Sequence, residues 1–147
     1  MVTPPQQNMD VAPQQRQPMQ ILESALRRAL PDEEQVGLAQ GALVEMLKAP
    51  ENKLVHLGNT LFLVMVKAPG QVEVHTFSEE TPQALAKNFV DLSKYLKNIG
   101  VKRASTYSDD PRFKKIADMT QLPVKVEQSV NLIGTEMRPV YRYTLEF

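Results

Sequence analysis

His75-Thr76-Phe77-Ser78-Glu79-Glu80-Thr81-Pro82 is the stretch on which the fold turns. Val72 to Phe77 ahead of it has the composition and alternation of a strand. Behind it, Thr81 suits a helix N-cap, and Pro82 stands at the first helical position, where its missing N–H breaks no hydrogen bond. Leu85, Phe89, Leu92, Leu96 and Ile99 then recur at spacings of 4, 3, 4 and 3, the core stripe of a long helix that Gly100 ends. Val101 to Thr106 follows as a strand reached through a crossover helix, and hence parallel to the strand that preceded the helix. In such a β-α-β unit the strand-to-helix junction is where a phosphate-bearing ligand sits if there is one.

Upstream, Lys53 to Leu57, the turn Gly58-Asn59, and Thr60 to Lys67 form a hairpin; glycine in the first central position predicts a type II′ turn. Ala68-Pro69-Gly70-Gln71 predicts a type II turn into the third strand. The unbroken run Leu61 to Val66 predicts a middle strand covered on both faces. Before the strands come two helices. One carries the stripe Ile21, Leu22, Ala25, Leu26, Ala29 and Leu30 and ends at Pro31; the other opens at an Asp32 cap with Gln35 and runs to about Lys48, with Val36, Ala39, Leu43 and Leu47 inward. Residues 1–18, with Pro4, Pro5, Pro13 and Pro18 among glutamines, have no apolar periodicity and predict an extended or disordered arm that can order against a partner. Downstream, Ser108-Asp109-Asp110-Pro111 caps a short helix to about Thr120 with Phe113, Ile116 and Ala117 inward. Val124 to Leu132 alternates, Gly134 to Pro139 is a turn region, and Tyr141, Tyr143, Leu145 and Phe147 alternate again.

Composition narrows the function. The 147 residues, 42% hydrophobic, support one globular domain over residues 19–147 beside the arm. Seventeen basic and seventeen acidic residues cancel, so electrostatic capture of nucleic acid is not expected. The absence of cysteine excludes disulfides and thiolate chemistry, and two histidines cannot make a histidine-rich metal cage. No apolar run spans a bilayer and no signal pattern opens the chain, so a soluble, unprocessed protein is expected.

The order α-α-β-β-β-α-β-α-β-β, an α+β class with a mixed sheet, resembles the GCN5-related N-acetyltransferase (GNAT) fold with one N-terminal strand missing, over Gln20 to Phe147. That resemblance implies acetyl-CoA, whose pyrophosphate the family receives on a Gln/Arg-x-x-Gly-x-Gly/Ala turn at the start of the long helix, and a tyrosine general acid on the short helix. The stretch matching the turn is Phe77 to Gln83, which has no glycine, two carboxylates and a proline. At the second signature Asp110 falls at the family's asparagine, Phe113 at its alanine, Ala117 at its tyrosine, and Gln121-Leu122 at its Gly-Phe. The expectation is therefore a fold kept without its chemistry. No catalytic, metal or cofactor residue is assigned and no cofactor is expected, Ser78, Glu79, Glu80, Thr81 and Pro82 being a degenerate cofactor junction.

In size and in these departures the chain also resembles small acetyltransferase-like virion and assembly proteins of tailed bacteriophages. This implies a non-enzymatic structural protein, in the virion or the host cytoplasm, acting on other protein subunits. The alternative is an acetyl-CoA-dependent N-acetyltransferase with an atypical cofactor turn. Interface candidates are the arm prolines with Arg138, Tyr141, Tyr143 and Phe147, residue types enriched at contact hot spots or placed on a terminal strand open to augmentation.

Three other groups deserve chemical scrutiny. His75 with Glu73 on the same strand face has the makings of a general-base pair, although such pairs more often form a solvated face. Asp109, Asp110 and Asp118 are carboxylates on one short helix, with capping the simpler role for Asp110. Lys94, Lys97, Lys102, Arg103, Lys114 and Lys115, with Tyr95 and Tyr107 nearby, form the most basic zone, and a nucleic-acid surface would need them on one face.

Overall fold

A computed structural model describes residues 17–30, 32–133 and 135–147. The arm expected over residues 1–18, with Pro4, Pro5 and Pro13, lies outside these apart from Gln17 and Pro18, which open the first helix. The elements are α1 (Pro18–Ala29), α2 (Glu33–Leu47), β1 (Lys53–Leu57), β2 (Thr60–Ala68), β3 (Gln71–Ser78), α3 (Pro82–Asn98), β4 (Arg103–Ser108), α4 (Phe113–Met119), β5 (Lys125–Ile133) and β6 (Glu136–Glu146). They appear in the expected order, in a six-stranded mixed sheet β1-β2-β3-β4-β6-β5 with one parallel pair, β3 and β4.

Local chemistry sets most boundaries. Gln17 and Gln20 form a capping box at the start of α1, and Asp32 accepts the Gln35 amide at 2.9 Å to start α2. Thr81 accepts from Ala84 at the head of α3. At the tail of α3, Gly100 (φ 92) lets Val101 N–H reach Leu96 O at 3.0 Å and Gly100 N–H reach Lys97 O at 3.2 Å, a Schellman ending. Two expectations change there. Val101 takes the buried place after the turn while Ile99, 47% exposed, falls outside the core, and β4 begins two residues later than expected, at Arg103. The turn expected through Pro139 is also shorter, since β6 is already a strand at Glu136. Pro139 pairs with Val130 beyond the end of β4, where β6 has a neighbour on one side only and a proline is tolerated.

The sheet is a partition between two cores. Phe62, Val64, Val72, Val74, Leu85, Leu92, Leu96 and Val101 pack between the sheet and α3. Ile21, Leu22, Leu26, Val36 and Leu61 pack on the opposite face under α1 and α2, joined by Phe77. β2 feeds both cores from alternate residues, which is why its Leu61 to Val64 run has no polar member.

Candidate functional site

The parallel pair opens partway along its length. β3 and β4 are in register at Gln71↔Arg103, Val72↔Ala104 and Glu73↔Ser105, and no further. Both strands continue, β3 held by β2 as far as Ser78↔Thr60 and β4 held by β6 as far as Ser108↔Tyr141. The closed end is pinned where Lys102 and Arg103 N–H groups both donate to Gly70 O, at 2.7 and 3.0 Å. Past Glu73 the strands separate, leaving the inner edges of Val74–Ser78 and Thr106–Ser108 without a ladder; one side-chain bond, Thr106 Oγ1 to Val74 O at 2.7 Å, crosses between them. An extended ligand carrying amides can lie along such edges.

Beneath the parting, on the α3 side, a row of rings ties the two halves together: Phe62 to Phe89 (5.1 Å), Phe89 to Phe113 (5.5 Å) and Phe113 to Tyr143 (4.8 Å). Beside this row lies an apolar cavity of about 80 Å³ between α3, α4 and the sheet. Tyr143 lines it, 4% exposed, and its hydroxyl has neither solvent contact nor a hydrogen-bond partner. Burial pushes this phenol's pKa above the ordinary tyrosine value, so it stays protonated and is a donor.

Strand alternation places Glu73 and His75 on the opposite face of β3 from Val74, the face on which Phe77 meets the α1 core. The pair anticipated from sequence forms, with His75 Nε2 3.1 Å from Glu73 Oε2. Lys67 Nζ lies 3.7 Å from the same carboxylate. With Nε2–H donated to Glu73, Nδ1 is left to accept a proton. On the same face of β4 and β6, Tyr107 is opposite Arg142, whose guanidinium holds Glu127 at 2.9 Å and keeps that carboxyl below its usual range.

The junction at the head of α3 is, by contrast, occupied by the protein itself. Glu80 turns its carboxylate inward, accepting from Asn59 N–H and from Asn88 Nδ2, each at 3.2 Å. Asn88 also donates to Leu57 O and Thr60 Oγ1. Glu79 N–H goes to Asn59 O, Glu80 N–H to Ser78 Oγ and Ala84 N–H to Thr81 Oγ1, while Pro82 has none. Gly58 holds φ 57, a conformation L side chains rarely adopt, and a Cβ there would stand 3.1 Å from Glu80 Oε2, so a glycine suits the β1–β2 turn where it meets the junction. An incoming pyrophosphate would meet two carboxylates and, at Glu79, Glu80 and Ala84, amides already engaged.

The remaining candidates separate. Asp110 is held by Arg112, whose side-chain and backbone hydrogen bonds lower its pKa, and Asp109 faces Arg138 at 3.6 Å. Among the described residues no cluster of three metal-ligating side chains occurs. Tyr107 points to the sheet face away from α3 and its lysines, and Arg103 pairs with Glu146 at 3.0 Å, so the basic zone and its tyrosines do not share one face. Of the interface candidates, Pro18 starts α1, Arg138 and Tyr141 are on the surface, and Tyr143 and Phe147 turn inward, to the cavity wall and the α3 core. Two structural residues escaped the sequence reading. Asn88 left a signal, a lone amide on the stripe of Leu85 and Leu92; the inward turn of Tyr143 left none, because Tyr141 and Tyr143 share a strand alternation.

No protein-family model matches the chain, and no curated protein is similar to it in sequence. Solved structures share its fold. An acetyltransferase from Bacillus subtilis in complex with CoA is 11% identical with a TM-score of 0.57, covering 86% of this chain and 91% of that one. A variant of spermidine N-acetyltransferase from Vibrio cholerae is 8% identical with a TM-score of 0.62, covering 87% and 88%. A GCN5-related N-acetyltransferase from Brucella melitensis is 11% identical with a TM-score of 0.54, covering 86% and 70%. The fold is thus the mixed α+β sheet of these acetyltransferases. The same neighbours overturn the expectation of a non-enzymatic bacteriophage structural protein, since they are acetyltransferases, one of them holding CoA, and they lend no support to a place in the virion. No helix among the described residues is long and apolar enough to cross a membrane.

Proposed function

We propose that the chain is an acyl-CoA-dependent N-acyltransferase of the acetyltransferase kind with an atypical cofactor turn. The observation that carries this reading is the parting of β3 and β4, with an apolar cavity on one face and the His75–Glu73 pair on the other. Two reactants can enter from opposite sides of the sheet and meet between the strands, which turns a bimolecular encounter into a positioned one. The residues at the parting fit the acyl end of a thioester donor; those at the head of α3 do not fit its pyrophosphate, because the amides of Glu79, Glu80 and Ala84 are engaged, Pro82 has none, and two carboxylates stand beside them. CoA supplies, when bound, an activated thioester carbonyl. With a thioester at the parting, Glu73 would orient His75, and His75 would take the proton that an attacking amine must lose.

The test is turnover of acetyl-CoA by the full chain against a panel of primary amines, read as thiol release. Release that depends on the amine is the expected result. No thiol release, together with no thermal shift at millimolar acetyl-CoA, CoA or acetyl-pantetheine, would overturn the reading.

A further inference from the structure

The cavity under the parting, about 80 Å³, has more room than an acetyl group fills. Its near end lies at Thr106, Phe113 and Tyr143, where the strands separate; its far end lies at Leu96, Leu145 and Phe147, beneath the closed part of the sheet. Around it, the Thr106 hydroxyl is engaged with Val74 O, Ser93 with Val90 O, and Thr120 with Ala117 O. The Tyr143 hydroxyl is buried and has no partner. A buried water needs two to four polar neighbours, and one phenol does not hold it. An apolar chain ending in a single hydrogen-bond acceptor matches this inventory.

Building on the acyltransfer reading, we infer that the cavity seats an aliphatic acyl chain of about five to eight carbons, the number of water-sized groups its volume admits, with the acyl carbonyl accepting from Tyr143 and the chain running past Ala104. The preferred donor is then a medium-chain acyl thioester, and the product a medium-chain amide. Each methylene added within the cavity strengthens binding about fourfold, and the gain stops once the far end is reached.

The experiment is isothermal titration of the full chain with acetyl-, butanoyl-, hexanoyl- and dodecanoyl-CoA, alongside NMR titration with N-methylhexanamide, which carries chain and carbonyl without thioester or nucleotide. Affinity is expected to climb from acetyl to hexanoyl and to level off or fall at dodecanoyl, with N-methylhexanamide moving the amide resonances of Thr106 and Phe113. Ala104→Leu, which fills the passage, abolishes the gain; Ala117→Leu makes the same test if Ala104→Leu does not fold. Tyr143→Phe lowers hexanoyl affinity by about fivefold, the loss of one hydrogen bond. Equal affinity for acetyl- and hexanoyl-CoA, or unmoved cavity resonances, overturns the inference. Turnover of acetyl-CoA without chain-length preference removes this inference and leaves the acyltransfer reading. Binding of N-methylhexanamide with no CoA ester bound or turned over keeps the cavity assignment and removes that reading.

Discussion

The head of α3 and the parting of β3 from β4 are adjacent in the chain and opposite in chemistry. At the head of α3 the amides of Glu79, Glu80 and Ala84 have partners inside the protein, and Asn88 ties the Glu80 carboxylate to the β1–β2 turn. At the parting the polar edges of two strands are left open, over a cavity on which the buried Tyr143 hydroxyl has no partner. A helix N-terminus offers donors only while nothing closer takes them. Here the chain has taken those of Glu79, Glu80 and Ala84, and Pro82 has none to give. The parting keeps its openness because each strand is anchored on its outer side and the ring row below substitutes for the missing ladder.

That contrast can be broken from either side. The largest effect is expected at the parting: His75→Ala lowers turnover by about 10²–10⁴-fold, the usual worth of a positioned base, with an unchanged unfolding temperature because the ring is half exposed. A pre-steady-state and calorimetric comparison with the parent checks both halves of that statement. At the junction, Asn88→Ala leaves Glu80 and Leu57 O short of a donor in a buried setting and lowers stability by about 2–3 kcal/mol in urea unfolding. Tyr143→Phe goes the other way. It removes a buried hydroxyl with no partner and raises the stability of the ligand-free chain by about 1 kcal/mol while weakening acyl binding, and a loss of stability instead would show that the hydroxyl has a partner.

A subtler comparison sets acyl-CoA against acyl-pantetheine. A working pyrophosphate grip at a helix head, with charge-assisted bonds of about 1.5–3 kcal/mol each, would separate the two by tenfold or more; near-equal affinities are expected here. The smallest effect is at the start of α4. Asp110 has its pKa lowered by Arg112, so its contribution is complete above pH 3.8 and fades as the pH falls through the lower folded value. Asp110→Asn and the parent therefore differ in unfolding temperature at neutral pH and converge in acid.

Much of this architecture was legible because its signals are local. Thr81-Pro82 with the Leu85, Phe89, Leu92, Leu96 stripe predicts α3, Gly70 (φ 74) fits the predicted type II turn, and the Leu61 to Val66 run fits a strand between two layers. The residue types from Phe77 to Gln83 also show two carboxylates and a proline where the resemblance would place a phosphate turn. What misled was treating this as the loss of all chemistry. The His75–Glu73 contact depended only on strand alternation, and alternation could not say that the neighbouring strand would peel away at that level.

The elements, their order and the covering of β2 on both faces follow from the residues alone, since capping, turn glycines and apolar periodicity act over a few residues. Which hydroxyls were left unpartnered, where β3 and β4 separate, and why Tyr143 is buried while Tyr141 on the same face of β6 is exposed are matters of three-dimensional packing. Those outcomes depend on contacts among α3, α4, β4 and β6, segments far apart in the chain, and on packing that no single segment encodes.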